Sequence, residues 1–171
     1  MVFTISAVSS VVNNFTVVDS EGNESVSLVD SITSSNNYVY EASGSGVSAI
    51  NNVASISGTL NSGLSTQIDL YSFDQSTIKN SQSISFTGVK NFSVYNTSTT
   101  EGYDFEIQAT GTHACTNLFN GGSGNLMIKP YSSFQYNDRF SGFPVTSTNR
   151  YVYLNDLGSG VSYKVFVFGI E

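Results

Sequence analysis

Apolar and polar residues alternate in short runs along most of this chain, and Gly, Asn, Ser and Asp separate the runs. A period of two is the signature of a strand with one buried face. The clearest case is Tyr103–Ala109, which places Tyr103, Phe105, Ile107 and Ala109 on one face and Asp104, Glu106 and Gln108 on the other. The same reading predicts strands at Thr66–Tyr71, Ser83–Phe86, Phe92–Asn96, Leu126–Lys129, Ser133–Tyr136, Tyr151–Leu154 and Val161–Phe168. Pro130 ends the fifth of these, because it has no N–H to give a ladder. The second half of Val161–Phe168 is apolar on both faces, as a central strand between two layers must be. Lys164 falls at its wet end. These eight strands span about residues 58 to 171 with no helix alternating between them, which excludes a parallel α/β sheet. The expected fold class is all-β: an antiparallel two-sheet sandwich of jelly-roll or Greek-key type.

Residues 1–57 follow a different pattern. Phe15–Val18 and Ser25–Val29 flank the turn-rich stretch Asp19-Ser20-Glu21-Gly22-Asn23-Glu24, which predicts a β-hairpin. Val39-Tyr40 gives a third short strand, and Ala42–Gly46 a flexible link. Val47, Ile50, Val53 and Ala54 have the spacing of a short helix. The expected organisation is an N-terminal hairpin arm with linker, residues 1–57, and a β-sandwich domain, residues 58–171. An isolated hairpin is marginal in water, so the arm needs a surface to lie on, its own sandwich or a neighbouring subunit.

Composition narrows the function classes. Only 11% of the 171 residues are charged, against about 25% in an average domain. Ser, Thr and Asn supply 62 residues instead. One Cys allows no disulfide within the chain, and with one His no multi-Cys or multi-His metal site can be built. The net charge is −7, and the six Lys and Arg residues are scattered. Nucleic acid and anionic membrane surfaces are therefore not expected partners. No apolar run approaches the ~18 residues of a membrane-spanning helix, and the first residues carry no basic, apolar leader pattern. Synthesis in a cytoplasm is expected.

Candidate chemistry is sparse. His113 and Cys115 lie two apart, as a nucleophile and base or half of a zinc site would on a strand; a buried thiol beside a partly exposed imidazole is the reading favoured here. Asp104 and Glu106 resemble a carboxylate pair, but solvation of a wet face accounts for both. The acidic turn 19–24 lacks the spacing of a calcium loop. Asn14, Asn23, Asn91 and Asn96 open Asn-x-Ser/Thr triplets, as many as chance supplies in so Asn- and Ser-rich a chain. The Gly-rich stretch Asn120–Asn125 lacks the following helix and the Lys of a phosphate loop. No catalytic residue, metal ligand or cofactor is expected. The aromatic segment from Tyr131 to Tyr153 is a better candidate for contact work, with Phe140-Ser141-Gly142-Phe143-Pro144 as an exposed loop. The expected contact residues are Tyr131, Phe140 and Phe143, with Phe15 and Val17 on the arm.

Gly58-Thr59-Leu60, Ser65–Leu70, Ser85–Lys90 leading to Val94–Ser98, and Gly158–Val165 follow one another in an order that resembles the β-rich virion structural proteins of tailed bacteriophages, most of all capsid decoration (cement) proteins. The resemblance covers about two-thirds of the chain and rests on strand-and-turn patterns. It implies a non-enzymatic protein that decorates and stabilises the capsid by binding the major capsid protein lattice from the capsid exterior, as a homo-oligomer, a dimer or a trimer. Two other readings compete with it: a receptor- or glycan-binding module of a phage tail fibre or spike, and a hydrolase on a sandwich scaffold.

Overall fold

The computed structural model describes residues 5–10, 14–19, 25–29, 37–42, 49–50, 52–76, 81–119, 124–138 and 140–170, with side chains described at residue 50 and from residue 52 onward except 74–82. The chain divides into two compact units, Met1–Asn51 and Asn52–Glu171. The first contains β1 (Ile5–Ser10), β2 (Asn14–Asp19), β3 (Ser25–Val29), β4 (Asn37–Ala42) and β5 (Ala49–Ile50), in the sheet order β3-β2-β1-β4-β5. The β4–β5 pair is parallel and the others are antiparallel.

The second unit begins with β6 (Asn52–Leu60), β7 (Ser65–Asp69) and the hairpin β8 (Phe73–Ser76) and β9 (Ser81–Ile84). It continues through β10 (Gly88–Asn96), β11 (Phe105–Gln108), a 3-10 turn (Thr116–Phe119), β12 (Asn125–Ile128), β13 (Ser133–Asn137), β14 (Phe143–Pro144), β15 (Tyr151–Asp156) and β16 (Val161–Ile170). One antiparallel sheet has the order β13-β10-β16-β6, with β14 also on β10; the other is β12-β11-β15-β7. Each of the eight strands read from the sequence has its counterpart here.

Alternation builds the core. Phe92 and Val94 of β10 lie opposite Val167 and Val165 of β16, and Val167 lies opposite Ala54 of β6. From the second sheet come Phe105 and Ile107 of β11, Val152 and Leu154 of β15, and Ile68 of β7. All ten belong to one buried cluster, so the two sheets share a single core. Phe119 of the 3-10 turn stacks on Phe134 of β13, ring centroids 6.2 Å apart, beside that cluster. β16 has Val165 to Gly169 buried on both faces and Lys164 exposed, the pattern its sequence demanded.

Two expectations change. The described residues of the stretch read as a short helix, 49–50 and 52–56, are strand: Asn52–Leu60 pairs with β16 residue by residue from Leu60↔Val161 to Asn52↔Gly169. Val53, Ile56 and Thr59 are β-branched and prefer the pleated state once a partner strand is present. The division between units therefore falls at 51/52, because residues 52–57 are part of the sandwich. Phe143 is also not a surface residue. It is 3% exposed, lies opposite Val89 and packs edge-on against Tyr136, ring centroids 5.1 Å apart. Gly142 makes this reversal between Phe140 and Phe143 accessible. Its φ is +66°, and a Cβ there would stand 2.4 Å from the Val89 carbonyl oxygen, so only glycine fits.

Candidate contact surface

The alternation that sends Val152 and Leu154 inward turns Tyr151, Tyr153 and Asn155 to the outer face of the second sheet. There Tyr151 lies opposite Asp69, and Tyr153 lies between Gln67 and Gln108. Arg150 enters just before β15. Its N–H donates to the His113 carbonyl (2.9 Å) and its own carbonyl accepts from Leu70 N–H (3.0 Å). Its guanidinium grips Asp69 in two places: Nε donates to Oδ1 at 2.8 Å, and Nη2 pairs with Oδ2. Asp69 Oδ1 also accepts from Tyr71 N–H (3.0 Å) and Ser72 N–H (3.1 Å), which fixes the turn that carries Tyr71.

This fork holds the guanidinium between two rings, 5.0 Å from the centroid of Tyr71 and 5.1 Å from that of Tyr151. His113 stacks on Tyr151 at 6.4 Å and 27°. Tyr153 meets Tyr151 edge-on at 6.2 Å, and its hydroxyl donates to the Thr112 carbonyl at 3.1 Å. The hydrogen bonds that the guanidinium donates to Asp69 are the largest cause raising the Arg150 pKa above its ordinary value, so the side chain stays cationic. The result is a preassembled row, His113–Tyr151–Arg150–Tyr71, where β7 ends and β15 begins. Tyr and Arg are the side chains that concentrate binding energy at protein interfaces, and rows held rigid beforehand lose little entropy on contact. Sequence reading missed this row because its members come from three distant segments. The available signal was Arg150 directly ahead of the outward Tyr151 and Tyr153.

The chemical candidates do not assemble. His113 sits in a turn at φ 60°, not on a strand, so it and Cys115 do not share a face. Cys115 is fully buried, and burial pushes its thiol up to about 12, against a smaller opposing hydrogen bond from Leu118 N–H. A neutral, inaccessible thiol is a poor nucleophile. The native chain is accordingly expected to react with iodoacetamide at least 100-fold more slowly than the urea-unfolded chain. Equal rates, followed by mass spectrometry, would contradict this placement. Asp104 is ion-paired with Lys129 at 2.7 Å, while its buried Oδ1 has no hydrogen-bond partner. Glu106 accepts from Gln108 Nε2 at 2.8 Å. Among the described residues no three His, Cys, Asp or Glu side chains converge on a metal position, and no helix is long and apolar enough to cross a membrane. Residues 20–24 and 120–123 lie outside the described residues, as do the side chains of Phe15 and Val17 on β2.

Tyr131 and Phe140 are exposed, at 69% and 73%. They flank β13 at opposite ends, so they do not form one patch with each other. Phe140 N–H is held by Asp138 Oδ1 at 2.8 Å. Comparison with known proteins finds no matching family model, no similar curated protein and no similar solved structure.

Proposed function

We propose that the chain is a non-enzymatic phage structural protein that decorates and stabilises the capsid exterior by binding the lattice of major capsid protein. The observation that carries the reading is the His113–Tyr151–Arg150–Tyr71 row, a contact surface of hot-spot composition on a rigid sandwich. A shell under outward pressure is reinforced by many repeated modest contacts rather than by one tight site, and multivalency supplies the strength. A homo-oligomer, dimer or trimer, would match the local symmetry of a shell. The 6 basic against 13 acidic residues suit an exterior position better than one facing packaged DNA.

Arg150→Ala is expected to weaken binding to particles lacking the protein by about 30-fold, the scale of an interface hot spot. Tyr71→Ser leaves the Asp69–Arg150 pair in place and is expected to weaken it by about 10-fold. Co-sedimentation with particles measures both, and circular dichroism checks that each variant is folded. Undiminished binding by both folded variants would remove this face from the proposal.

A further inference from the structure

The connection from β10 to β11, residues 97–104, separates two hollows at one end of the sandwich. On one side lies a hollow of about 570 Å³ lined by the hydroxyl-bearing residues Thr59, Ser62, Thr97, Ser98, Thr100 and Ser162, with Tyr103; Ser62 Oγ donates to the Gly158 carbonyl at 2.6 Å. No charged side chain lines it. On the other side lies a hollow of about 390 Å³ formed by Glu101, Gly102, Asp104, Lys129, Pro130 and Tyr131. Thr99 lines both. Each volume lies in the range of small-molecule sites.

The dividing connection is built on a buried amide. Asn96, 2% exposed, donates through Nδ2 to the carbonyls of Tyr103 (2.7 Å) and Ile128 (3.1 Å), and its Oδ1 accepts from Ser98 N–H at 3.0 Å. Thr97 N–H donates to the Ser162 carbonyl at 2.9 Å, and Ser162 N–H donates to Ser98 Oγ at 3.0 Å. The walls are therefore fixed before any ligand arrives. Tyr131, at the lip, has φ 58°, a conformation rare for an aromatic residue, and presents its ring to solvent.

We propose that these paired hollows bind a neutral oligosaccharide, with Tyr131 as the stacking platform. The chemistry of the walls selects this class. An apolar ligand would desolvate the row of hydroxyls without replacing their hydrogen bonds. A polyanion would meet the carboxylates of Glu101 and Asp104 with only Lys129 in its favour. A bare cation needs more carboxylate oxygens than the hydroxyl hollow offers. A pyranose carries hydroxyls that both donate and accept, matching Ser and Thr on one side and the Lys129–Asp104 pair on the other. Its axial C–H face is weakly positive and suits the negative face of an aromatic ring. Two hollows sharing one threonine fit successive sugar units. This proposal stands apart from the capsid reading, and neither depends on the other.

The test is a titration of the full ¹⁵N-labelled chain, followed by amide chemical shifts, with neutral oligosaccharides of glucose, mannose, galactose and N-acetylglucosamine. Inorganic phosphate is the anionic control. At least one series is expected to give saturable shifts confined to residues 59–62, 97–104, 129–131 and 159–162, with Kd of about 1 mM or tighter. Tyr131→Asn removes the ring while tolerating positive φ, and is expected to weaken binding about 10-fold. Thr99→Val keeps the shape, loses one hydroxyl and is expected to weaken it about 5-fold. Phe140→Asn, at the far end of β13, is expected to change nothing. No saturable shifts with any neutral series, shifts with phosphate alone, or binding undiminished in Tyr131→Asn would each overturn the proposal.

Discussion

Replacing Phe92 by Ala is expected to cost the Asn52–Glu171 unit about 3–5 kcal/mol. Phe92 is fully buried, at the middle of β10, and lies between Val167 of β16 and Tyr136 of β13. Its ring belongs to the cluster shared by both sheets. Truncation removes apolar surface from the core and leaves a cavity that flanking strands, fixed by their ladders, cannot collapse to fill. A domain of ordinary stability has about 5–15 kcal/mol in total, so the variant should unfold at far lower urea. The contrast is Phe140→Ala. That ring is 73% exposed, and its loss should move stability by no more than about 0.5 kcal/mol. Equilibrium urea unfolding decides both. A cost for Phe92→Ala under about 1 kcal/mol would mean that the two sheets do not share the core described here.

Asp156→Asn is expected to produce the second large effect, and its size should depend on pH. Asp156 is 6% exposed at the end of β15. Burial pushes its carboxyl upward, but hydrogen bonds from the N–H groups of Gly63, Gly158, Gly160 and Ser159 outweigh it, and the pKa lies below the ordinary value. Three of these bonds measure 2.7 Å, 2.8 Å and 3.1 Å, and they tie the β6–β7 turn to the β15–β16 turn. A depressed folded pKa means that the unfolded chain binds more protons near pH 4. The carboxylate's contribution is therefore complete above the unfolded value of about 4 and is lost as pH falls through the lower folded value. Asparagine turns one acceptor into a donor that faces N–H groups. The variant should be about 2–3 kcal/mol less stable near neutral pH, and the gap to the native chain should shrink as pH drops below about 4. Urea unfolding of both proteins across pH measures the gap directly. A gap that is constant with pH, or grows on acidification, would contradict the assigned protonation.

Much of the second unit was legible because its strands obey a period of two. Tyr151–Asp156 alternates half-buried and buried at every position, and Phe105 and Ile107 are buried between polar neighbours. The failures have a common cause: the deciding partner is remote in sequence. Val47, Ile50, Val53 and Ala54 carry helical spacing, but β16 recruits residues 52–60 into a ladder. Phe143, between Gly142 and Pro144, reads as a loop residue, and only its pairing with Val89 makes it core. Asp156, the last residue of β15, gave no sign of its hold on Gly63 in the preceding turn between β6 and β7. Of the two rings that enclose Arg150, Tyr151 is its sequence neighbour, but Tyr71 gave no sign, because it reaches Arg150 through Asp69 across the β7–β15 ladder. The hollows beside residues 97–104 were hidden for the same reason, since their walls also draw on residues 59–62, 129–131 and 159–162.

The central proposal is that this sandwich acts by repeated surface contact on a capsid lattice. On that proposal the chain is encoded by a phage, and quantitative mass spectrometry of that phage's purified particles tests it most directly. A fixed, simple ratio of this chain to the major capsid protein is the predicted result; only a few copies per particle, or none, would contradict it.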